Sequence, residues 1–282
     1  MPRRARPKLR KLLFVLPNLF TISSIFCGFY AIVLMSVVDP ASQELYKAAL
    51  LIFFATFFDA FDGRVARMTR TQSEFGKQLD SLADVISFGV APGLLAYQWG
   101  LVNLGPVGLV IAFVFPVCGS LRLARFMVIA SRGGSDASKF FTGLPVPLAA
   151  VTLVSLVIAH HKSGHEPVNA GWVGLLVILL SGLMVSNVRY RTFKDIRLSL
   201  VSAAVFLLVL AAGAGIAVWL HASVALLVYC SSYIALGLME EAVFIARRRR
   251  QERITVPDVA LIEEIEAEER LEPAEEDEEA WP

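Results

Sequence analysis

Four aspartates in the first third of the chain have the spacing to do chemistry together: Asp59 and Asp62, then Asp80 and Asp84. At about 100° per residue, steps of three and four return to the same helical face, so each pair occupies one stripe. Gly63 and Ala66 share the first stripe, with Arg67 at its edge, and Gly76, Asp80, Asp84 and Ser87 follow one another along the second. Two antiparallel helices joined by a short turn would aim all four carboxylates at each other. Such a group repels itself unless positive charge sits among it. Hard divalent cations, Mg²⁺ or Mn²⁺, suit an all-oxygen set and share their shell with substrate phosphates. A pair of them can clamp a phosphoryl group through an in-line displacement. The small residues Gly63, Ala66 and Gly76 leave room for a diphosphate near the backbone, and Arg67 offers a guanidinium fork to its oxygens. The competing account is an interfacial salt-bridge network with Arg64, Arg67 and Arg70.

The elements that carry these residues are membrane spans by composition. Hydrophobic residues make up 56% of the 282 positions, and mean hydropathy is +0.63. Soluble domains hold roughly 45–50% apolar residues. The apolar residues gather in eight runs, near 14–36, 45–66, 79–101, 104–127, 142–160, 170–186, 199–219 and 223–245. A span needs roughly 20 such residues. The expected fold is therefore an all-α polytopic bundle of about eight transmembrane helices. Basic residues favour cytoplasmic segments. With eight spans, the N-terminal tail, the 2–3 turn, the 4–5 and 6–7 loops and the C-terminal tail share one side, and only Lys47 and Lys162 of the 26 basic residues fall on the other. Both termini and the aspartates are then cytoplasmic. His160, His161 and His165 lie at the opposite end and receive no role.

Three segments follow: a basic tail at 1–13, a membrane domain at 14–246, and a basic-then-acidic tail at 247–282. Residues 251–282 hold 13 of the 25 acidic residues, a composition that favours disorder. Cys27, Cys118 and Cys230 sit in predicted spans without paired spacing and read as small apolar residues. The first apolar run is too long for a signal peptide and lacks a small-residue cleavage site, so it is expected to be retained.

The segment Asp59-x2-Asp62-Gly63-x2-Ala66-Arg67-x8-Gly76-x3-Asp80-x3-Asp84 resembles the full signature of the CDP-alcohol phosphatidyltransferase family. The resemblance implies a helical membrane enzyme, a homodimer, with a cytosol-facing polar cavity and no nucleic-acid partner. It implies that Asp59, Asp62, Asp80 and Asp84 hold a pair of divalent cations, Mg or Mn. Asp84 would also be the catalytic base toward the attacking hydroxyl. Asp62, Gly63, Ala66, Arg67 and Gly76 would form the CDP site.

Phrases outside the signature narrow the resemblance. They are Leu-Pro-Asn-Leu-Phe-Thr at 16–21, the run from Asp80 to Gly93, Cys-Gly-Ser-Leu-Arg-Leu-Ala-Arg-Phe at 118–126, Phe-Thr-Gly-Leu-Pro-Val-Pro at 141–147 and Ser-Asn-Val-Arg-Tyr-Arg-Thr-Phe-Lys at 186–194. Together they are similar to integral-membrane phosphatidylserine synthases over roughly 12–195. The implied substrates are CDP-diacylglycerol, embedded among membrane lipids, and L-serine. Where the family phrase continues with Asn after Arg-Phe, this chain has Met127. A site for serine needs a cation for its carboxylate. Arg122 and Arg125 are the candidates, with Ser87 and Asn187 as further acceptor contacts; the alternatives are topology anchors for the arginines and helix-packing hydrogen bonds for the other two. Asn18 is either a helix-start residue or a nucleotide contact, and Pro145 and Pro147 shape the start of the fifth span. Two rival functions stay open. A phosphorylated acceptor, glycerol phosphate or inositol phosphate, would draw on Arg122, Arg125, Arg189 and Arg191. An ion or proton transporter would place its carboxylates nearer mid-bilayer.

Overall fold

The computed structural model describes residues 7–37, 40–69, 71, 73–131, 140–163, 168–191 and 224–239. Its helices are α1 (Pro7–Met35), α2 (Ser42–Thr69), α3 (Glu74–Asp84), α4 (Ala91–Ala96), α5 (Pro106–Ser131), α6 (Val146–Ser163), α7 (Ala170–Val185) and α8 (Val224–Met239). Among the described residues, four helical stretches are long and apolar enough to cross a membrane: Pro17–Met35, Glu74–Leu104, Pro106–Ile129 and Val146–Ser163. α7 and α8 are shorter apolar helices. α2 has the length, at 28 residues, but carries the charged residues that its chemistry needs. The seventh expected run, 199–219, lies outside the described residues, as do Arg70, Arg132, Lys139, His165, Lys194, Arg197 and the tail from 240 onward.

The expected all-helical architecture holds except for one antiparallel pair, β1 (Phe140–Thr142) with β2 (Arg189–Arg191). Strands this short carry no periodicity in the sequence. Gly143 closes the pair with φ +80°, and a Cβ there would collide with the Met184 carbonyl oxygen. Only glycine meets both demands.

α2 shows how sequence aims the carboxylates inward. Its buried residues are Leu45, Ala48, Ala49, Ile52, Ala55 and Asp62, a stripe at helical spacing that packs on α1 and α6. Asp59 and Asp62 continue this stripe, while Phe54, Phe57 and Phe61 face outward. α6 is buried on nearly every side, the mark of a central helix. Pro147 falls in its first turn, where a missing N–H costs nothing.

The third stretch is not uniform. It begins at Glu74 with Ser73 as N-cap, whose hydroxyl accepts from the Gly76 N–H at 3.0 Å. α-helix ends at Asp84, and a π-helical turn runs Val85–Val90. After α4, a second π-turn (Tyr97–Leu101) and a 3₁₀ turn (Val102–Leu104) complete it. The regular stepping expected along Gly76, Asp80, Asp84 and Ser87 therefore stops at Asp84. Two close contacts fix this stretch laterally. A Cβ on Gly28 of α1 would stand 2.8 Å from the Ser87 Cα and Oγ, and one on Gly93 would stand 3.0 Å from Pro116 Cδ of α5. Asn18 lies well inside α1, which starts eleven residues earlier at Pro7; the helix-start role expected for it is excluded.

Contacts divide the chain into Met1–Gly237, which holds the core, and Leu238–Pro282, of which only the first two residues are described. Large apolar residues such as Phe26, Phe29, Phe113 and Trp172 face outward, as a lipid-embedded bundle requires. Cys27, Cys118 and Cys230 are free thiols.

Replacing Gly28 with Ala should destabilise the detergent-solubilised protein by about 1–3 kcal/mol, because the added methyl meets the backbone of Ser87. Gly182→Ala, where a Cβ meets nothing within 4 Å, should leave the melting temperature unchanged or raise it. Thermal melts of the two variants check this.

Candidate active site

The α2–α3 hairpin brings all four aspartates together. Carboxylate oxygens of Asp59, Asp62 and Asp80 lie within 4.8 Å of one another, a set able to hold a metal ion. Asp59 also meets Asp84, and Asp62 meets Asp80, side chain to side chain. Asp62 is buried, whereas the other three are partly so. One oxygen each of Asp80 and Asp84 is buried with no hydrogen-bond partner. Buried polar atoms rarely go unsatisfied, so these two oxygens are available to a group from outside the side-chain set. No lysine or arginine supplies it: among the described residues the one ion pair is the exposed Lys77–Glu74 contact at 2.7 Å. Arg64 and Arg67 are exposed and pair with none of the four. The salt-bridge account of the cluster fails for these two arginines.

Gly63 opens onto free space, with nothing within 4 Å of a Cβ built there, and Gly76 stands beside Asn18, whose Oδ1 would be 3.6 Å from such an atom. Ala66 is partly buried on α2. Arg67 lies in the last turn of α2, where a cation also complements the helix dipole. The open space at Gly63 thus directly follows Asp62 on α2, whereas Gly76 packs against Ser73 and Asn18.

The two candidate arginines separate. Arg122, near the end of α5, is buried to 9% exposure, and its Nε lacks a hydrogen-bond partner. Its charge acts on Asp84 and on Tyr233 of α8. Arg125 turns the other way. Its Nη2 donates to the Val185 carbonyl at 3.1 Å and its Nη1 to Asn187 Oδ1 at 3.2 Å and the Ser186 carbonyl at 3.5 Å. It caps the end of α7, and Asn187 is part of that cap. Ser87, fully buried, donates to the Ser24 carbonyl at 2.9 Å and so joins α3's continuation to α1. The histidines keep away from the cluster: His161 contacts Ser42 at 2.7 Å and stacks on Tyr46, and His160 meets Trp99 edge-on.

Sequence reasoning missed Thr21, which donates to Asp62 Oδ2 at 2.8 Å from α1. It falls inside the Leu-Pro-Asn-Leu-Phe-Thr phrase, which marked the segment without naming its polar contact. Tyr233 was also missed, since α8 carries no motif.

Arg125→Ala should lower stability by about 1–3 kcal/mol by orphaning the α7 carbonyls, and Arg125→Lys should recover only part of it. Chemical or thermal denaturation in detergent measures both.

A family model described as CDP-alcohol phosphatidyltransferase matches residues 14–229. Named relatives agree with it. A CDP-diacylglycerol--serine O-phosphatidyltransferase of Helicobacter pylori is 42% identical over 189 residues, covering 67% of this chain and 76% of its own. Proteins of the same name from Bacillus subtilis and Methanocaldococcus jannaschii are each 34% identical. The first covers 64% of this chain and 91% of its own, the second 63% and 80%. Because the match runs from α1 into α8 and includes all four aspartates of the cluster, this chain belongs to the CDP-alcohol phosphatidyltransferase family.

Proposed function

We propose that the protein transfers the phosphatidyl group of CDP-diacylglycerol to the hydroxyl of L-serine, giving phosphatidylserine and CMP. The observation that carries this is the convergence of four carboxylates with unpartnered oxygens on Asp80 and Asp84, beside one buried guanidinium. The relatives' names support the choice of donor and acceptor.

The residues fit a divalent-cation site, since the oxygens left without partners belong to the same all-carboxylate set. Asp59, Asp62, Asp80 and Asp84 would hold two ions, Mg²⁺ or Mn²⁺. Bound there, such ions supply Lewis-acid stabilisation of charge on the diphosphate. The chain's own residues do the rest. Gly63, Ala66 and Gly76 admit the CDP moiety, and Arg67 binds its diphosphate oxygens. Asp84 accepts the proton as the serine oxygen forms its bond to the phosphorus bearing diacylglycerol. The bond from that phosphorus to the bridging oxygen breaks, and CMP departs with it. Catalysis is mostly positioning and electrostatics.

Arg122 is the residue we assign to the serine carboxylate. Among the residues whose burial is described it is the one buried cation, and its electrostatic reach to Asp84 puts it near the proposed base. Arg125, Asn187 and Ser87 are engaged in packing contacts, which leaves Arg122 as the acceptor-site residue among these four candidates. The relatives' names favour serine over a phosphorylated alcohol. The distribution of basic residues supports eight spans with both termini and the site on the cytoplasmic side. The outward apolar faces leave room for a homodimer.

Purified protein given CDP-diacylglycerol, Mn²⁺ or Mg²⁺ and L-serine should release CMP, and EDTA should stop it. Asp84→Asn should abolish release. Arg122→Gln should raise the KM for serine about tenfold or more, the worth of a charged hydrogen bond, with little change in the KM for CDP-diacylglycerol. Release with glycerol phosphate or inositol phosphate in place of serine would overturn the acceptor. Failure with every acceptor would overturn the reaction.

A further inference from the structure

α1 contributes none of the signature residues, yet it reaches the cluster. Thr21 is buried, and its hydroxyl has two acceptors in range: Asp62 Oδ2 at 2.8 Å and the Pro17 carbonyl at 3.3 Å. A hydroxyl has one hydrogen to give, and the shorter bond to a carboxylate is the stronger. The anchor behind it is firm. One turn further along α1, Ser24 and Ser87 are joined by two hydrogen bonds, and Gly28 lets the helices approach to contact. α1 is therefore locked to the helix of Asp80 and Asp84 while Thr21 holds Asp62 of α2.

We propose that Thr21 is a positioning residue for the cation site. It commits one Asp62 oxygen to α1 and fixes the orientation in which that carboxylate faces Asp59 and Asp80. The inference rests on the cation-site reading above. Partners that orient a metal-ligating group typically matter about 10- to 100-fold in metal affinity.

The test is a Mn²⁺ titration followed by electron paramagnetic resonance on the full-length protein in lipid nanodiscs, without substrate. Thr21→Val keeps the shape and loses the hydroxyl; it should weaken Mn²⁺ binding about tenfold in a protein that still melts cooperatively without metal. Thr21→Ser should restore binding to within about twofold of the original protein. In an Asp62→Asn background, adding Thr21→Val should have no further effect. If Thr21→Val does not fold, Thr21→Ala carries the same comparison. Equal binding by the original protein and the valine variant would overturn the role of Thr21, as would an undiminished effect in the Asp62→Asn background. An original protein that binds no Mn²⁺ would instead overturn the cation site itself.

Discussion

The structure is organised around the mutual repulsion of four carboxylates held inside a helical bundle. Two unit charges about 4 Å apart interact by roughly 4 kcal/mol where the effective dielectric constant is near 20. Gathering Asp59, Asp62, Asp80 and Asp84 in this way therefore costs free energy that the packing around them must offset. Their placement depends on backbone. The buried stripe of α2 continues onto Asp59 and Asp62, and the capped start of α3 sets Asp80 and Asp84 opposite.

The surrounding helices hold that geometry with small residues and hydroxyls rather than charges. Gly28 and Ser24 bring α1 against Ser87, and Thr21 ties it to Asp62. On the far side, Gly93 takes Pro116 of α5. Close approach of backbones is the packing mode available to helices in lipid, where burial of apolar side chains offers no advantage over the lipid tails. The π-turn directly after Asp84 belongs to the same region, and such turns are frequent at functional sites.

Two arginines three residues apart have opposite fates, and the difference is instructive. Arg125 finds the Val185 and Ser186 carbonyls at the end of α7 and the Asn187 side chain, which engage both of its terminal nitrogens. Arg122 faces the interior, near a carboxylate and a phenol, and retains an unused donor. That unpartnered donor is the reason we propose Arg122, and not Arg125, for the serine carboxylate.

The sequence by itself determined the helical class, the approximate limits of six of the apolar runs, and the four carboxylates with their pairwise faces, because helical period and fixed spacing are local properties. It also named Arg122 and Arg125 without separating them. Tertiary structure decided that separation, enlisted Thr21 and Tyr233, turned Ser87 onto α1, and added the β1–β2 pair and the π-turn. Each of these depends on which helix faces which, at distances of 41 to 63 residues for the hydrogen bonds involved. A side chain's partner across a helix interface leaves no trace in the spacing of its own neighbours, so only the packed bundle could reveal it.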